Sequence, residues 1–261
     1  MPEGDTLHQA ATRLEPLVGR RAVRVAGSHR VVIARGRRLA GHTVSSVVAR
    51  GKHLLIGFDH GWSLRTHLAM TGSWQLYRSG ERWRISPGKA RVIIETNDVV
   101  AVCFAAPTVQ IGPNTDIHTA LDHLGPDLIH DEVDWGHVVQ RARTSNMATA
   151  ADLLLDQTVM AGIGNVYKSE TLYLERLHPM TVVHLLDDVT IQRCGERAQR
   201  LLLANRDRPQ RTTTGRHGRD ATTWVYGRAG KPCRRCGDMI VIDGRRADER
   251  LTYWCPTCQP A

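Results

Sequence analysis

The sequence predicts an α+β chain of two domains, in which a two-sheet β-sandwich with a leading helix precedes a helical domain that ends in a β-hairpin. Three observations support this fold class: closely spaced strand-like runs up to about residue 115, helical periodicity from 136 to about 206, and two cysteine pairs near the end of the chain. Many short strands in succession are typical of a sandwich or barrel. The 261 residues are enough for two domains.

The first domain is predicted to begin with a helix from Asp5 to Leu17. Leu7, Ala10 and Leu14 lie at helical spacing, and Asp5 or Thr6 can cap the helix. An Asn97-Asp98 turn is expected to join the last two strands. The predicted strands are residues 22–25, 31–34, 44–48, 53–58, 63–68, 74–77, 90–95 and 99–104.

The composition changes after residue 109, where Gly, Pro, Asp and His become frequent and periodicity is lost. We therefore expect residues 1–115 to form the first domain, 116–135 a linker, 136–224 a helical domain and 225–261 a finger. The clearest helices are expected at 148–155, 166–174 and 189–204. The polar stretch 206–223 is predicted to be a mobile loop over a ligand.

The charge of the chain favours a polyanionic partner. Its formal net charge is +9, and from Arg200 to Ala261 there are 13 Lys and Arg against 6 Asp and Glu. No amphipathic basic helix with aromatic anchors is present, which favours nucleic acid over lipid. No apolar run reaches the ~20 residues that span a bilayer, and no secretion signal is apparent. We expect a cytoplasmic, nucleoid-associated monomer without a membrane partner.

Four cysteines predict a metal site. Cys233-x2-Cys236 and Cys255-x2-Cys258 are separated by 18 residues, which is spacing typical of a four-thiolate zinc site. Four protein ligands leave no open position, so one structural Zn²⁺ is expected. Two disulfides are the alternative, and a reducing compartment disfavours them.

The segment between these cysteine pairs is predicted to be a basic hairpin. Residues 240–242 and 251–254 form its strands, and Asp243-Gly244 forms its turn. Its arginines either contact phosphates or form solvated surface; they are Arg234, Arg235, Arg245, Arg246 and Arg250. The other two cysteines, Cys103 and Cys194, are expected to be buried thiols.

The first residues, Met1-Pro2-Glu3, are compatible with amine catalysis. Removal of Met1 would leave the secondary amine of Pro2, which is nucleophilic when unprotonated and can form an iminium ion. Glu3 is an adjacent carboxyl group that can move protons. The alternative is a chain start without catalytic meaning.

A glycine-containing segment, Gly162-Ile163-Gly164-Asn165, precedes a predicted helix. The glycines let backbone N–H groups approach an anion, and the helix N-terminus adds positive potential. Asn165 can bond a phosphate with its amide. This pattern predicts a helix-turn-helix that holds a nucleic-acid backbone without reading bases.

Eight motifs occur in one order along nearly the whole chain: MPEG (1–4), GKHLL (51–55), HLAMTGS (67–73), LLDQ (154–157), AGIGNVY (161–167), HP (178–179), VYGR (225–228) and YWCPTCQ (253–259). With them, the chain resembles the formamidopyrimidine-DNA glycosylase and endonuclease VIII family of base-excision repair enzymes. The resemblance implies a helix-two-turn-helix domain, a zinc finger, and damaged double-stranded DNA as the partner, with single-stranded or bubble DNA also open.

The resemblance also implies residue roles. Pro2 attacks C1′ of a flipped-out nucleotide, Glu3 handles protons, and β- and δ-elimination then cut the strand. Lys52 binds a phosphate and assists elimination, while Arg250 grips flanking phosphates. Met70 fills the void left by the flipped base, with a core methionine as the alternative. His67, Gly164 and Asn165 complete the implied DNA-binding residues.

Two departures from the family pattern favour the endonuclease VIII-like branch and oxidised pyrimidines. The purine-directed branch has an arginine-containing Asp-Pro-Arg-Arg-Phe-Gly loop where this chain has CFAAPT at 103–108. That branch also has a lysine just before the LLDQ motif, and residues 148–152 contain none. A third difference is a hairpin between the cysteine pairs that is slightly longer than usual.

Two alternatives to this function remain open. One is a non-catalytic zinc-ribbon protein that binds nucleic acid, for which Pro2 and Glu3 would have no role. The other is an AP lyase with weak base excision, because an abasic aldehyde is easier to attack than an intact glycosidic bond.

Overall fold

The computed structural model describes residues 2–129, 132–218, 220–243 and 251–261. The chain forms two compact units, Met1–His123 and Leu124–Ala261. The boundary between them falls within the stretch that the sequence predicts as a linker. Within the described residues, none of the helices has the length and apolarity that a bilayer-spanning segment needs.

The first unit contains two four-stranded antiparallel sheets, which confirms the predicted sandwich. Inward-facing apolar side chains from both sheets belong to one core. One sheet has the order β1 (Arg24–Ala26), β6 (Ala90–Glu95), β7 (Val99–Phe104) and β5 (Ser73–Arg78). The other has the order β2 (Val44–Arg50), β3 (His53–Phe58), β4 (Trp62–His67) and β8 (Thr108–Pro113).

The leading helix, α1 (Gly4–Leu14), begins one residue before the predicted start and continues as a 3₁₀ turn at Glu15–Leu17. Its apolar side buries Leu7, Ala10 and Leu14 in the shared core. The helix packs against β2 and β3 of one sheet and β5 of the other. The sandwich therefore holds the start of the chain in place.

The predicted strand at residues 31–34 is wrong, because α2 (Arg30–Arg35) is helical there. The His29 imidazole caps this helix by accepting a hydrogen bond from the Val31 N–H at 3.3 Å. The β-branched residues favour a strand locally, but only Val32 is buried in the helix, and tertiary packing outweighs this propensity.

Residues 108–123 contain more regular structure than the sequence predicts. β8 pairs with β4 over its whole length, from His67↔Thr108 to Trp62↔Pro113. A short helix, α3 (Asn114–Thr119), follows directly and buries Ile117. The Gly and Pro that suggest irregular structure lie at the end of an edge strand, where a missing N–H donor is tolerated.

Among its described residues, the second unit has four α-helices, α4 (Trp135–Thr144), α5 (Ala150–Leu155), α6 (Asn165–Leu174) and α7 (Asp188–Asn205). α6 packs against α5 and α7, and α4 packs against α7. Gly195 allows the α4–α7 approach, because a Cβ there would lie 2.4 Å from the Trp135 ring. The predicted helices at 148–155, 166–174 and 189–204 all occur, with shifts of up to two residues at their ends.

The finger contains β9 (Val241–Asp243) paired antiparallel with β10 (Thr252–Trp254). β10 also packs against α6. The predicted Asp243-Gly244 turn and three predicted arginines, Arg245, Arg246 and Arg250, involve positions 244–250, outside the described residues.

Candidate nucleic-acid interface and zinc centre

Pro2 and Glu3 lie at the start of α1. Glu3 precedes the helix with an extended backbone, and its carbonyl accepts the Leu7 N–H at 3.1 Å. Its side chain is wholly buried, whereas Pro2 is partly exposed. A shielded carboxyl group beside the residue with the proposed reactive amine is suited to proton transfer.

Lys52, His67 and the Met70 turn share one end of the β2-β3-β4-β8 sheet. Lys52 lies in the turn between β2 and β3, directly before His53. His53 pairs in register with His67, the last residue of β4, and their rings lie 5.0 Å apart. The register thus brings together three of the residues predicted from sequence.

The two imidazoles of this cluster are held in the neutral form. Burial lowers the pKa of His53 from 6.5 to about 3, with further lowering by the nearby charges of His67, Arg65, His123 and Lys52. Burial likewise lowers the pKa of His67, and Lys52 and Arg65 add to this effect. The permanent cations Lys52 and Arg65 therefore supply the positive charge here, while the imidazoles can bond an anion only as neutral donors.

Met70 occupies an exposed turn immediately after β4. Its side chain is 64% exposed, which excludes the alternative that it packs in the core. Ala69 has a φ of +50°, and the Gly72 N–H bonds the Leu68 carbonyl at 2.9 Å. A Cβ at Gly72 would lie only 2.5 Å from that carbonyl oxygen. The turn requires glycine and presents an apolar side chain to solvent.

The connection between β7 and β8 is only three residues long. It consists of Ala105, Ala106 and Pro107, and Ala105 adopts a φ of +54°. The Ala105 N–H bonds the Lys89 carbonyl at 2.8 Å. This connection is too short and too small in its side chains to fill a large void.

Gln157 organises the segment between α5 and α6. Its amide Nε2 donates to the Leu155 and Ile163 carbonyls at 2.8 and 3.1 Å, and its Oε1 accepts the Gly162 N–H at 3.1 Å. Gly162 has a φ of +106°, which a side chain would disfavour. These bonds fix the backbone that leads to Asn165 at the first turn of α6, where the helix dipole favours an anion.

Lys168 is a functional residue that the sequence reasoning missed. It is 1% exposed, and its ammonium donates to Asn165 Oδ1 at 3.2 Å, the Leu251 carbonyl at 3.3 Å and Thr252 Oγ1 at 2.8 Å. Because Asn165 Oδ1 accepts this hydrogen bond, the NH₂ group of the Asn165 amide is the part that can donate to a phosphate. The i, i+3 spacing of Asn165 and Lys168 was the available signal.

Glu170 was also missed, and it anchors part of the segment predicted as a mobile loop. Its buried carboxylate accepts hydrogen bonds from Thr213 Oγ1 and from the Trp224, Val225 and Tyr226 N–H groups, the last three at 2.7–2.9 Å. In residues 206–218 and 220–223 the structure contains no helix or strand. The middle of this segment is nevertheless buried at Thr213, so its mobility and a ligand beneath it stay predictions.

The four finger cysteines fit a tetrahedral zinc site. Their Sγ atoms all lie within 4.8 Å of one another, with 3.8 Å between Cys233 and Cys258 and 3.4 Å between Cys236 and Cys255. Zn–S bonds of ~2.3 Å place tetrahedral sulfurs ~3.8 Å apart. All four are free thiols rather than disulfides. These cysteines hold one structural zinc ion, as predicted.

Two arginines of the finger make contacts within their own unit. Arg234 Nε donates to the Thr223 carbonyl at 3.0 Å. The Arg235 guanidinium lies 4.7 Å from the centre of the Tyr173 ring. We therefore interpret these two as structural residues of the finger, in line with the alternative that only some of its arginines contact phosphates.

The remaining predictions concern the isolated cysteines and Arg250. Cys103 and Cys194 are buried thiols, as predicted, and burial raises the pKa of both. Arg250 lies outside the described residues. Of the other predicted site residues, Pro2, Glu3, Lys52, His67 and Met70 belong to the first compact unit, whereas Gly164, Asn165 and the cysteines belong to the second.

Three known family domains match the sequence. Residues 1–108 match the formamidopyrimidine-DNA glycosylase N-terminal domain, residues 124–214 match the formamidopyrimidine-DNA glycosylase H2TH domain, and residues 230–261 match the zinc finger found in FPG and IleRS. Together these matches follow the order of the sandwich, the helices and the finger.

Curated relatives match over the full length. A Streptomyces coelicolor protein named probable endonuclease 8 2 is 43% identical, covering 99% of this chain and 94% of that protein. The DNA-(apurinic or apyrimidinic site) lyase Nei2 of Mycolicibacterium smegmatis is 39% identical, covering 100% of both. Endonuclease 8 of Escherichia coli is 30% identical, covering 99% of this chain and 100% of that protein.

Solved structures share the fold. Lactococcus lactis Fpg in complex with DNA containing an abasic site has a TM-score of 0.83 at 22% identity, covering 99% of this chain and 100% of that chain. The same enzyme with DNA containing an oxidised pyrimidine has a TM-score of 0.82 at 22% identity, covering 100% of both.

Proposed function

Because this chain belongs to the formamidopyrimidine-DNA glycosylase and endonuclease VIII family, we propose that it is a bifunctional DNA glycosylase and AP lyase that removes oxidised bases. The observation that carries this proposal is the buried carboxyl group of Glu3 directly after Pro2, at the start of a helix that packs against both sheets of the sandwich. Neither residue would need this arrangement in a protein that only binds nucleic acid.

The first chemical step is base removal. With Met1 removed and the lesion flipped out of the duplex, the unprotonated Pro2 nitrogen attacks C1′ and the C1′–base bond breaks. Glu3 donates its proton to the departing base, then takes the proton of the Pro2 ammonium and passes it to O4′ as the sugar ring opens. The product is an iminium ion between Pro2 and the sugar.

Strand cleavage follows from the acidity that the iminium gives to C2′. Loss of a C2′ proton and cleavage of the C3′–O bond is β-elimination, which cuts the strand 3′ to the lesion. A second elimination breaks the C5′–O bond and leaves a one-nucleotide gap. We assign Lys52 to a phosphate beside the lesion and Arg250 to the flanking phosphates, both from their motifs.

DNA binding is divided among the proposed domains. Residues 1–115 carry the chemistry and the Met70 wedge, 116–135 join the domains, and 136–224 with 225–261 hold the backbone. His67, Gly164 and Asn165 are assigned to phosphate contacts, and Lys168 supports Asn165 from beneath. We further propose that the enzyme is a nucleoid-associated monomer that acts on damaged duplex DNA. Single-stranded and bubble DNA are the other candidate substrates.

Borohydride trapping tests the amine mechanism. Protein with its native start, incubated with a thymine glycol duplex and borohydride, should form a covalent adduct and nick the strand. The matched control is the same polypeptide with an uncleaved N-terminal tag, which should bind DNA but form no adduct. Undiminished nicking by the tagged protein would refute the proposal, and binding without adduct by both forms would favour the non-catalytic alternative.

The role of Glu3 is tested by E3Q, with E15Q on the exposed surface as the control. We expect E3Q to lower base excision by about 10²-fold or more, because one proton-transfer group is lost. Cleavage of a preformed abasic site should fall much less. Equal loss in E15Q would show a non-specific effect.

We propose oxidised pyrimidines as the favoured lesions, supported by the short β7–β8 connection. A purine leaves a larger void, and Ala105–Pro107 offer no side chain to fill it. Single-turnover excision rates on matched duplexes should be higher for thymine glycol or 5-hydroxycytosine than for 8-oxoguanine. Robust 8-oxoguanine excision with none of thymine glycol would overturn this assignment.

An AP lyase with weak base excision is a second candidate, favoured by the name of the Mycolicibacterium smegmatis relative. A duplex with a preformed abasic site and a duplex with thymine glycol distinguish the two functions. Comparable single-turnover rates on both would support the bifunctional enzyme. Rapid cleavage of the abasic duplex alone would support the lyase.

A further inference from the structure

A second cluster of metal-ligating side chains lies far from the proposed reaction site. His42 precedes β2, and Asp59 and His60 form the turn between β3 and β4. Lys52 lies at the opposite end of β3, whose six residues extend ~20 Å. None of the proposed chemistry uses this cluster.

The donor atoms of this cluster are spaced as a metal site requires. Asp59 Oδ1 lies 3.1 Å from His42 Nδ1 and 3.8 Å from His60 Nδ1. One ligand atom from each of the three residues can be chosen so that all lie within 4.8 Å of one another. Ligands ~2.1 Å from a common ion are separated by about 3–3.5 Å, so small side-chain shifts complete the geometry.

Neighbouring groups hold the carboxylate and one imidazole in position. The Thr43 N–H donates to Asp59 Oδ2 at 3.0 Å, which leaves Oδ1 facing the histidines. The His60 ring stacks against Trp62, with 6.1 Å between ring centres. The Arg38 guanidinium lies over the same Trp62 ring, 5.2 Å from its centre. A hydrogen bond such as that from Thr43 to Asp59 is typical of the contacts that orient metal ligands.

His60 lacks the partners that a buried imidazole normally has. Both of its ring nitrogens are inaccessible to solvent, and among the described residues neither makes a hydrogen bond of normal geometry. The contacts that remain are the Asp59 carboxylate at 3.8 Å and the Arg38 backbone, which acts to raise the His60 pKa against the larger lowering by burial. Leaving a buried polar group unpaired is unfavourable, because it gives up its hydrogen bonds to water without replacement. A buried nitrogen without a hydrogen bond indicates a bound water or ion. The nearby Asp59 carboxylate and His42 imidazole favour a cation.

We propose that His42, Asp59 and His60 bind a second divalent metal ion, Zn²⁺, through two imidazoles and one carboxylate. The His42 and His60 rings are stacked, with their centres 3.6 Å apart and their planes at 17°. His42 is 40% exposed and can tilt to direct its nitrogen at the ion. Solvent completes the tetrahedron, and the ion cross-links the loop before β2 to the β3–β4 turn.

Zinc stoichiometry tests this site independently of DNA repair. Full-length protein with its finger already loaded is titrated with ZnCl₂ by calorimetry, and bound zinc is measured after dialysis against micromolar free Zn²⁺. The wild type should bind a second zinc ion per chain. D59N keeps the shape of the side chain but removes its charge, and H60A removes a ligand. Each should weaken this binding about tenfold or more.

Matched controls separate site loss from misfolding. H118A removes an exposed histidine elsewhere in the same unit and should keep the second ion. D59N should retain wild-type circular dichroism and strand cleavage. Co²⁺ added to zinc-loaded protein should give d–d absorption without thiolate charge transfer. A wild type that binds a single zinc, unchanged binding in D59N and H60A, or cobalt bound to thiolates would each overturn the proposal.

Discussion

Met70 illustrates how a single residue gains a role from its backbone. A thioether on a tight exposed turn has no core to pack in, but it is flexible and apolar enough to enter a base stack. The adjacent Gly72 is required for the turn. The sequence placed Met70 in a motif, and the structure supplied the exposure that distinguishes a wedge from a core residue.

We expect M70A to lower kcat/KM for thymine glycol excision by about tenfold, because the void in the stack would be left unfilled. The measurement is single-turnover excision across a range of enzyme concentrations. M239A is the matched control, since Met239 is similarly exposed but lies on the finger, away from the Met70 turn in the chain. Equal losses in both variants would contradict a specific role for Met70.

His53 makes folding stability depend on pH. Its pKa is lowered from 6.5 to about 3 in the folded protein, mainly by burial. Between pH ~3 and pH ~6.5, His53 binds a proton in the unfolded chain but not in the folded protein. Its contribution to the free energy of unfolding is therefore fully present above pH ~6.5. That contribution is lost as the pH falls, by at most about 1.4 kcal/mol per pH unit. H53Q should flatten this slope.

The free energy of unfolding of the wild type and of H53Q is measured by urea unfolding at a series of pH values between ~4 and ~7. H118Q, at an exposed position, should keep the wild-type slope. An unchanged slope in H53Q would show that other groups dominate the acid sensitivity of the fold.

At the scale of elements, α6 joins the finger to the proposed phosphate site. Lys168 contacts Asn165 on the same helix and two residues around the start of β10. Glu170, two residues later, holds the backbone of residues 224–226. One short helix thus fixes two segments that are far apart in sequence, through charged groups that periodicity alone would assign to solvent.

We expect K168M to destabilise the protein by about 1–3 kcal/mol, because two buried acceptors and one partly buried carbonyl lose this donor. It should also weaken DNA binding, since Asn165 would no longer be held. K231M is the control, because Lys231 pairs with Asp220 on the surface, where an ion pair contributes at most about 1 kcal/mol. Urea unfolding and DNA binding isotherms measure both effects, and equal results for the two variants would refute the role of Lys168.

At the scale of the whole molecule, the net charge of +9 should make DNA binding strongly salt-dependent. If about four phosphates are neutralised, raising salt from ~50 to ~200 mM should weaken binding roughly a hundredfold. Fluorescence anisotropy with an undamaged duplex measures the slope. K52A should reduce the slope of log affinity against log salt concentration by the amount expected for about one phosphate contact. A slope equal to that of the wild type would show that Lys52 does not bind a phosphate.

Much of the architecture was predictable because its signals are local. The apolar spacing of α1, the apolar runs of β3, β6 and β7, and the paired cysteines each lie within a few residues or at fixed spacing. Such patterns depend on the period of a helix or strand and on the geometry of a metal ion. The order of the motifs then indicated the family.

Tertiary structure decided what distant contacts determine. α2 is a helix despite its β-branched residues, and β8 is a strand because β4 pairs with it. The bond from Lys168 on α6 to Thr252 in the finger joins residues that are far apart in the sequence. In the same way, His42 lies close to Asp59 and His60 because of the register in which β2 pairs with β3. The sequence alone determined the local elements, the zinc ligands and the kinship of this protein. Only folding determined which polar groups are buried together, because burial depends on neighbours that are remote along the chain.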